Sequence, residues 1–318
     1  MKKIALTAAA AIALSTVAGY AADMKMPMKA APAPVVSPWD VAFGGAVMSD
    51  YIFRGITQSN HKPSVAAYTE LRYNANPNLQ WYAGVSGESI DFPNRAASEI
   101  DLYGGVRPTF GALALDIGYW YYYYPGGQCF GGSAGCVAPA LPNTNTVKSD
   151  FIFWEVYAKG TWTVNDQWAL GFNVFATPNI LNTGADGEYV SGTAKYTAPT
   201  AMALGAVGWY VSGEYGRQFL GTTDPFYGNA NFVNGIPLDS YNTWNAGVGF
   251  TYKVFTLDLR YSDTDMSDAS CNAFTGDHTA GFSPSAVTSI NTGGNASKWC
   301  GATFLAKLSF DMTLGALK

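Results

Sequence analysis

The sequence contains little of what a metalloprotein or a nucleotide-dependent enzyme of this length needs. It has only two histidines, His61 and His278, and no pair of its four cysteines has the two-residue spacing typical of zinc sites. Charged residues make up 13% of the chain, and no Gly-rich phosphate-binding motif precedes a helical pattern. We therefore expect no metal site and no cofactor.

Long apolar runs are also missing beyond the N-terminus. Lys2 and Lys3 precede an uncharged segment that ends in small residues, which predicts a signal peptide over residues 1–21. No later segment offers about 20 consecutive apolar residues, so a helical membrane protein is excluded. Cleavage would leave 16 of the 18 basic residues against 23 acidic ones, a formal charge of 16 − 23 = −7, which argues against nucleic-acid binding.

Residues 22–38 show no periodicity and are rich in proline, so we predict a flexible periplasmic tail there. Three methionines in this segment, Met24, Met26 and Met28, could alternatively hold a soft metal such as Cu(I). The remaining residues, 39–318, are predicted to form a single domain.

Within this domain, apolar and polar residues alternate with a period of two. Near residue 80, for example, Trp81, Ala83 and Val85 alternate with Tyr82 and Gly84. Glycine is abundant and aromatic residues reach 15% of the chain, a composition that favours strands and turns. Counting the alternating segments gives twelve predicted strands.

The connections between these predicted strands alternate between long and short. The long ones are residues 55–63, 91–98, 125–149, 178–187, 219–239 and 263–300, and the short ones are residues 74–78, 108–111, 164–167, 197–201 and Lys253. This asymmetry is typical of outer-membrane proteins. The sequence therefore predicts an all-β fold, a transmembrane antiparallel up-and-down β-barrel of about twelve strands in the bacterial outer membrane, with short periplasmic turns and long extracellular loops.

Charged residues share one parity along the strands, opposite the apolar rows. A lone charge facing lipid near the midplane would cost about 2–4 kcal/mol, so the charged rows are predicted to line the lumen. Glu99, Lys195 and Lys307 belong to these rows. The candidates for setting selectivity are Asp50, Arg54, Glu70, Arg72, Glu88, Asp101, Arg107, Asp116, Glu155, Lys159, Glu214, Asp258 and Arg260.

Asp50 and Arg54 are expected at the top of the first strand. Small residues of the inner rows, such as Gly44, Gly84 and Gly249, are expected to leave open space. The alternative is that the charges pair with one another and fill the barrel.

The four cysteines lie in the predicted extracellular loops and allow three pairings. Cys129 with Cys136 and Cys271 with Cys300 is the simplest pairing, because each disulfide would then staple one long loop.

The stretch from Ser49 to Ser59 (SDYIFRGITQS), followed by Pro63, resembles the N-terminal signature of the TorF family of proteobacterial porin-like proteins. Further similar stretches are residues 82–85, 90–92, 99–105, 122–126 and 155–157. The resemblance covers about the first half of the mature chain and implies an outer-membrane barrel with a role in transport.

These features predict a porin-like channel for passive diffusion of small hydrophilic solutes, with the third or sixth long loop narrowing the opening. Outer-membrane lipid, lipopolysaccharide and small solutes are the expected partners, nucleic acid is not one, and porins suggest a homo-oligomer by analogy. A non-conducting structural or adhesive barrel is the alternative.

An enzyme is less favoured. His61 and His278 lie in long loops on the same side, near Ser59 and Asp277 in sequence, but solvated loop histidines are commoner than catalytic ones. The acidic segment 263–268 lacks the Gly and Glu of an EF-hand loop, and a solvated loop bridged loosely to lipopolysaccharide by divalent ions explains it better.

Overall fold

The computed structural model describes residues 38–131, 136 and 140–317, and they form a closed antiparallel barrel of twelve strands. Each barrel strand pairs with its neighbours in sequence, and the last strand pairs with the first. We number only the barrel strands: β1 (Trp39–Met48), β2 (Ser64–Asn76), β3 (Leu79–Ser89), β4 (Ser98–Phe110), β5 (Leu113–Tyr123), β6 (Phe153–Thr163), β7 (Trp168–Thr177), β8 (Gly187–Thr197), β9 (Gly208–Leu220), β10 (Tyr241–Tyr252), β11 (Phe255–Thr264) and β12 (Thr303–Thr313). The predicted fold class is confirmed. The predicted signal peptide and all of the predicted tail except Pro38 lie outside the described residues.

The connections alternate between long and short as predicted with one exception: the turn predicted over residues 197–201 is a ten-residue connection, residues 198–207, between β8 and β9. The remaining elements lie in the connections and after β12. These are two short strand pairs, Ile52–Phe53 with Ile56–Thr57 and Gly281–Phe282 with Asn295–Ala296, the helix α1 (Asp268–Thr275), and the 3-10 turns Ile180–Asn182, Thr200–Met202, Pro225–Tyr227, Pro284–Ala286 and Leu314–Leu317. Of these, Thr200–Met202 lies in the connection of residues 198–207, and Leu314–Leu317 follows β12. None of the helices in the described residues is long and apolar enough to cross a membrane.

Strand β12 runs past Phe310 and ends at Thr313. Its pairing with β1, from Ala42–Thr313 to Met48–Lys307, closes the barrel and leaves no unpaired edge.

The outer face of the barrel is apolar at mid-height and aromatic towards both ends. Exposed aliphatic side chains at mid-height include Leu102, Ile117, Val156, Val174, Val211 and Leu259. Exposed rings near the short turns are Trp39, Trp81, Phe110, Trp162, Trp168 and Tyr252, and those near the long loops are Tyr119, Tyr123, Trp154, Tyr215 and Phe219. An apolar band between two aromatic girdles is the surface of a barrel that faces lipid.

Candidate functional site in the barrel interior

The interior contains nearly all of the charged residues singled out from the sequence. All of these candidates except Asp50 and Arg54 lie on barrel strands, and most are buried. Glu70, Asp101 and Glu155 have no exposed surface, whereas the side chains of Arg107 and Asp116 keep 11% and 15% of theirs. Water therefore reaches little of the inner wall in this conformation.

Glycines of the inner wall do not leave the open space that we expected. Gly249 lies opposite Tyr210 in the β9–β10 register, and a Cβ at Gly249 would be 2.0 Å from Tyr210 Cζ. Gly84 is covered in the same way by the Tyr103 ring on β4. Each glycine thus provides room for a tyrosine that crosses from the next strand, and the ring fills the space.

Replacing Gly249 with Val should therefore destabilise the barrel by about 1–3 kcal/mol, because the new side chain overlaps the Tyr210 ring in a filled interior. The midpoint of urea-induced unfolding in lipid vesicles measures the effect. Gly192→Val is the matched control, since no heavy atom lies within 4 Å of a Cβ placed at Gly192. Equal midpoints for the two variants would contradict the packing described here.

The charges of the β2–β5 wall pair with one another. Arg107 donates from Nη1 and Nη2 to Glu70, at 2.8 and 3.0 Å, and from Nε to Asp116 Oδ2 at 3.1 Å. Arg72 also contacts Glu70, and Tyr82 contacts Asp116. Four of the predicted lumen residues thus form one network near the short-turn end.

A second network lies on the opposing β9–β11 wall. Arg260 donates from Nε and Nη2 to the two carboxylate oxygens of Asp258, both at 3.0 Å. Its Nη2 also donates to Ser212 at 2.8 Å, and its Nη1 donates to Asn245 at 2.7 Å. Asn245 also donates to Glu214 at 3.2 Å. Two lysines face aromatic rings of the interior, Lys159 at 4.8 Å from the Tyr157 centroid and Lys195 at 4.0 Å from that of Tyr210.

The segment after β1 folds into the mouth of the barrel. Ile52–Phe53 pairs with Ile56–Thr57, and Arg54 and Gly55 form the turn between them with φ of 48° and 80°. Two central residues with positive φ are typical of the tightest hairpin turns. We call residues 51–58 the plug hairpin; all of them are buried except Phe53, which is half-buried.

The plug hairpin reaches across the mouth to the opposite wall. Arg54, at its tip, donates to both carboxylate oxygens of Glu155 on β6, at 2.9 and 2.7 Å, and to Gln218 on β9 at 3.0 Å. The hydroxyl of Tyr241 on β10 donates to the Arg54 carbonyl oxygen at 3.1 Å. Nearer its base, Tyr51 donates to Glu99 on β4 at 2.6 Å. Because β6–β9 lie opposite β1 in the closed barrel, these contacts span the opening.

Two sequence expectations are corrected by this arrangement. Strand β1 ends at Met48, so Asp50 and Arg54 do not continue its inner row. The polypeptide that enters the mouth belongs to the first long connection, whereas we expected the third or the sixth. The physical reason is the tight Arg54–Gly55 turn, which reverses the chain before it can leave the barrel.

Asp50 organises the residues that follow the plug hairpin. Its Oδ1 accepts from the Thr57 hydroxyl at 2.6 Å, and its Oδ2 is 2.8 Å from His61 Nδ1. The Ser59 Oγ lies 3.0 Å from Asp50 Oδ1 and 2.7 Å from the Lys62 carbonyl oxygen, so its described contacts do not align it on an imidazole. Asp50, Ser59 and His61 thus hold this loop together.

The pKa values of the two histidines should be shifted in opposite directions. Hydrogen bonding to Asp50 raises the pKa of His61, whereas burial lowers the pKa of His278. A raised folded-state pKa means that the His61 contribution to stability is complete below the unfolded value of about 6.5 and is lost as pH rises through the folded value. We expect the His61–Asp50 pair to contribute less than about 1 kcal/mol to the free energy of unfolding, since the His61 side chain is 37% exposed.

Ring proton and carbon chemical shifts followed against pH in detergent micelles measure both values, with His61→Gln identifying the signals. A His61 signal that titrates at or below the pH of the His278 signal would contradict the ion pair with Asp50.

The other long connections pack above the plug hairpin into a second core. Buried apolar residues there include Phe92, Leu141, Val147, Phe151, Ile180, Ile236, Leu238, Phe274 and Trp299. Disulfides join Cys129 to Cys136 and Cys271 to Cys300, the pairing favoured from the sequence, with Cα–Cα distances of 5.0 and 5.9 Å. The extracellular end is therefore covered by packed loops.

A family model described as "Bacterial protein of unknown function (Gcw_chp)" matches residues 32–292, whereas membership of the TorF family is not confirmed. No curated protein matches the chain. Among solved structures, a Pseudomonas aeruginosa FadL homologue has 12% identity over 86% of this chain and 89% of that chain, with a TM-score of 0.41. OmpT of Vibrio cholerae has 11% identity over 88% and 100%, with a TM-score of 0.37. The KdgM porin in complex with disordered oligogalacturonate has 6% identity over 85% and 98%, with a TM-score of 0.41.

These distant likenesses carry no functional argument, and the location follows from the surface of the barrel itself. A closed sheet with an apolar exterior, aromatic girdles and a charged interior fits a lipid bilayer and leaves no strand edge in it. The protein is a transmembrane barrel of the bacterial outer membrane.

Proposed function

Since the chain belongs to the Gcw_chp family, bacterial proteins of unknown function, we infer its activity from the barrel itself. We propose that it is a porin-like channel that is closed in this conformation by the plug hairpin. Withdrawal of the hairpin admits small hydrophilic solutes by passive diffusion.

The observation that carries this proposal is the way in which the plug hairpin is held. Its tip is fixed by one buried ion pair, Arg54–Glu155, and by hydrogen bonds to Gln218 and Tyr241. Buried ion pairs contribute little net stability compared with apolar packing of the same volume. A polar anchor of this kind suits a segment that must leave the mouth and become hydrated.

Below the plug hairpin, the charged walls would line the path once water enters. The two opposing networks place acidic and basic groups on facing walls, as in pores that select solutes by charge. Inward acids outnumber inward bases in the sequence, so we propose a mild preference for cations. A reversal potential that shows anion preference would contradict it.

A second candidate is a non-conducting structural barrel. The low exposure of the inner wall favours it, since Glu70, Asp101 and Glu155 have no exposed surface in a barrel already filled with tyrosine rings. This candidate predicts that the interior stays closed whatever happens to the hairpin.

Solute efflux from proteoliposomes tests the proposal. Vesicles loaded with a small labelled sugar and a labelled dextran should release the sugar faster when they contain the full-length mature Arg54→Ala variant than when they contain the wild-type protein, and both should retain the dextran. Retention of both solutes, by the wild-type protein and by an Arg54 variant with a released hairpin, would overturn the channel and favour the structural barrel.

We propose that the protein is not an enzyme and that outer-membrane lipid, lipopolysaccharide and small hydrophilic solutes are its partners. A homo-oligomer and membership of the TorF family stay predictions. Lipid or peptide hydrolysis that is abolished by His61→Ala would contradict this assignment.

A further inference from the structure

Three carboxylates meet inside the barrel near its extracellular end. Glu88 on β3 lies directly opposite Glu99 on β4, and the next pair on the same face joins Ser86 to Asp101. One ligand oxygen from each acid lies within 4.8 Å of the others, and all three residues are buried. Like charges directly opposite each other in a sheet are destabilising, so something must neutralise this cluster.

The described protein groups around the cluster satisfy only part of it. Ser86 donates to Asp101 Oδ2 at 3.0 Å, and Tyr51 of the plug hairpin donates to Glu99 Oε1 at 2.6 Å. Among the described residues, neither carboxylate oxygen of Glu88 nor Asp101 Oδ1 has a hydrogen-bond partner, although all three atoms are buried. An unpaired buried carboxylate is costly, which makes these oxygens candidate ligands.

Charge points to a divalent ion. Within the described part of the barrel, no lysine or arginine forms a salt bridge with Glu88, Glu99 or Asp101, whose hydrogen bonds come from Ser86 and Tyr51. Three ionised carboxylates would carry three negative charges. One divalent cation would offset two of them.

Ligand type indicates which cation fits. Carboxylate oxygens bind hard cations, and the three buried acids supply only such oxygens. Ca²⁺ accepts sets of protein carboxylates in flexible geometry, whereas Mg²⁺ demands near-ideal octahedral geometry and usually keeps several waters. A buried cluster of three carboxylates therefore suits Ca²⁺ better.

We propose that Glu88, Glu99 and Asp101 form a calcium site inside the barrel, beside the base of the plug hairpin. The sequence alone does not indicate this site, because Glu88 and Asp101 are 13 residues apart and only the β3–β4 register brings them together. The site does not depend on conduction, and its test is separate from the efflux experiment.

Isothermal titration calorimetry with CaCl₂ on full-length mature protein in micelles, after chelation and desalting, tests the proposal. We expect one Ca²⁺ per chain and a rise in the thermal unfolding midpoint when it binds. Glu88→Gln and Asp101→Asn should each weaken binding at least tenfold and remove the thermal shift. Both variants remove a repelling charge, so heat-modifiable electrophoresis should find them folded.

Asp265→Asn is the matched control, since Asp265 lies in the exposed acidic segment after β11 and should leave binding unchanged. Absence of Ca²⁺ binding by the wild-type protein would overturn the proposal and show that shared protons neutralise the cluster. Binding that Asp265→Asn abolishes, or that both inner variants retain, would overturn it in favour of an outer loop.

Discussion

An Arg54→Ala variant should release the plug hairpin and increase conductance by shifting the barrel from closed to open. The substitution leaves Glu155 without its cation at a position that has no exposed surface. Removing one partner of a buried ion pair costs about 3–5 kcal/mol, so the closed-to-open ratio should fall by about two to four orders of magnitude. Hydrogen exchange at the amides of residues 51–58 measures the release directly.

Two further variants serve as controls for Arg54→Ala. Lys62→Ala removes an exposed ion pair with Asp91 from the same connection and should change stability by less than about 1 kcal/mol. Arg54→Met combined with Glu155→Gln should restore much of the closed-state stability that Arg54→Ala removes, because no unpaired charge remains buried. Unchanged protection of the hairpin amides in Arg54→Ala would contradict an anchoring role for the ion pair.

A Leu259→Arg variant should destabilise the folded barrel by about 2–4 kcal/mol, because it places a charge on the lipid-facing row at mid-height. Leu259 lies between Val248 and Ala306 in the register of β11 with its neighbours. The free energy of unfolding from lipid vesicles measures the effect.

Phe255→Arg is the matched control for Leu259→Arg. Phe255 belongs to the same outer row but begins β11 at the short-turn end, where an arginine can reach the interface at a cost of about 0–1 kcal/mol. If both substitutions cost the same small amount, the row would face water, and the transmembrane assignment would be wrong.

The sequence predicted the barrel wall well because lipid imposes a simple rule on it. Every strand must keep its charges on one face, and Glu155 and Lys159 show this parity over a single strand, β6. The same rule placed Asp258 and Arg260 inside. The end of β12 was less determined, since Phe310 is followed two residues later by another apolar residue, Met312.

The plug hairpin could not be predicted because its partners are remote. Arg54 contacts Glu155 and Gln218, which are 101 and 164 residues away. Locally, Asp50, Ile52 and Arg54 continue the spacing of β1, and only the Gly55 after Arg54 hints at a turn. The sequence therefore predicted a longer first strand.

The filling of the interior also depends on register rather than on composition. Gly249 is an inner small residue by parity, and by itself it suggests space. Its pairing with Tyr210 decides that the space is occupied. The meeting of Glu88 with Glu99 has the same origin, because it needs the β3–β4 alignment.

Single-channel recording in planar bilayers tests most directly whether the plug hairpin closes a solute path. The wild-type protein should stay mostly closed, and a variant in which a short Gly-Ser segment replaces residues 51–58 should show a stable open conductance. If the variant folds but remains as silent as the wild-type protein, the filled walls alone block the barrel and the channel proposal is wrong.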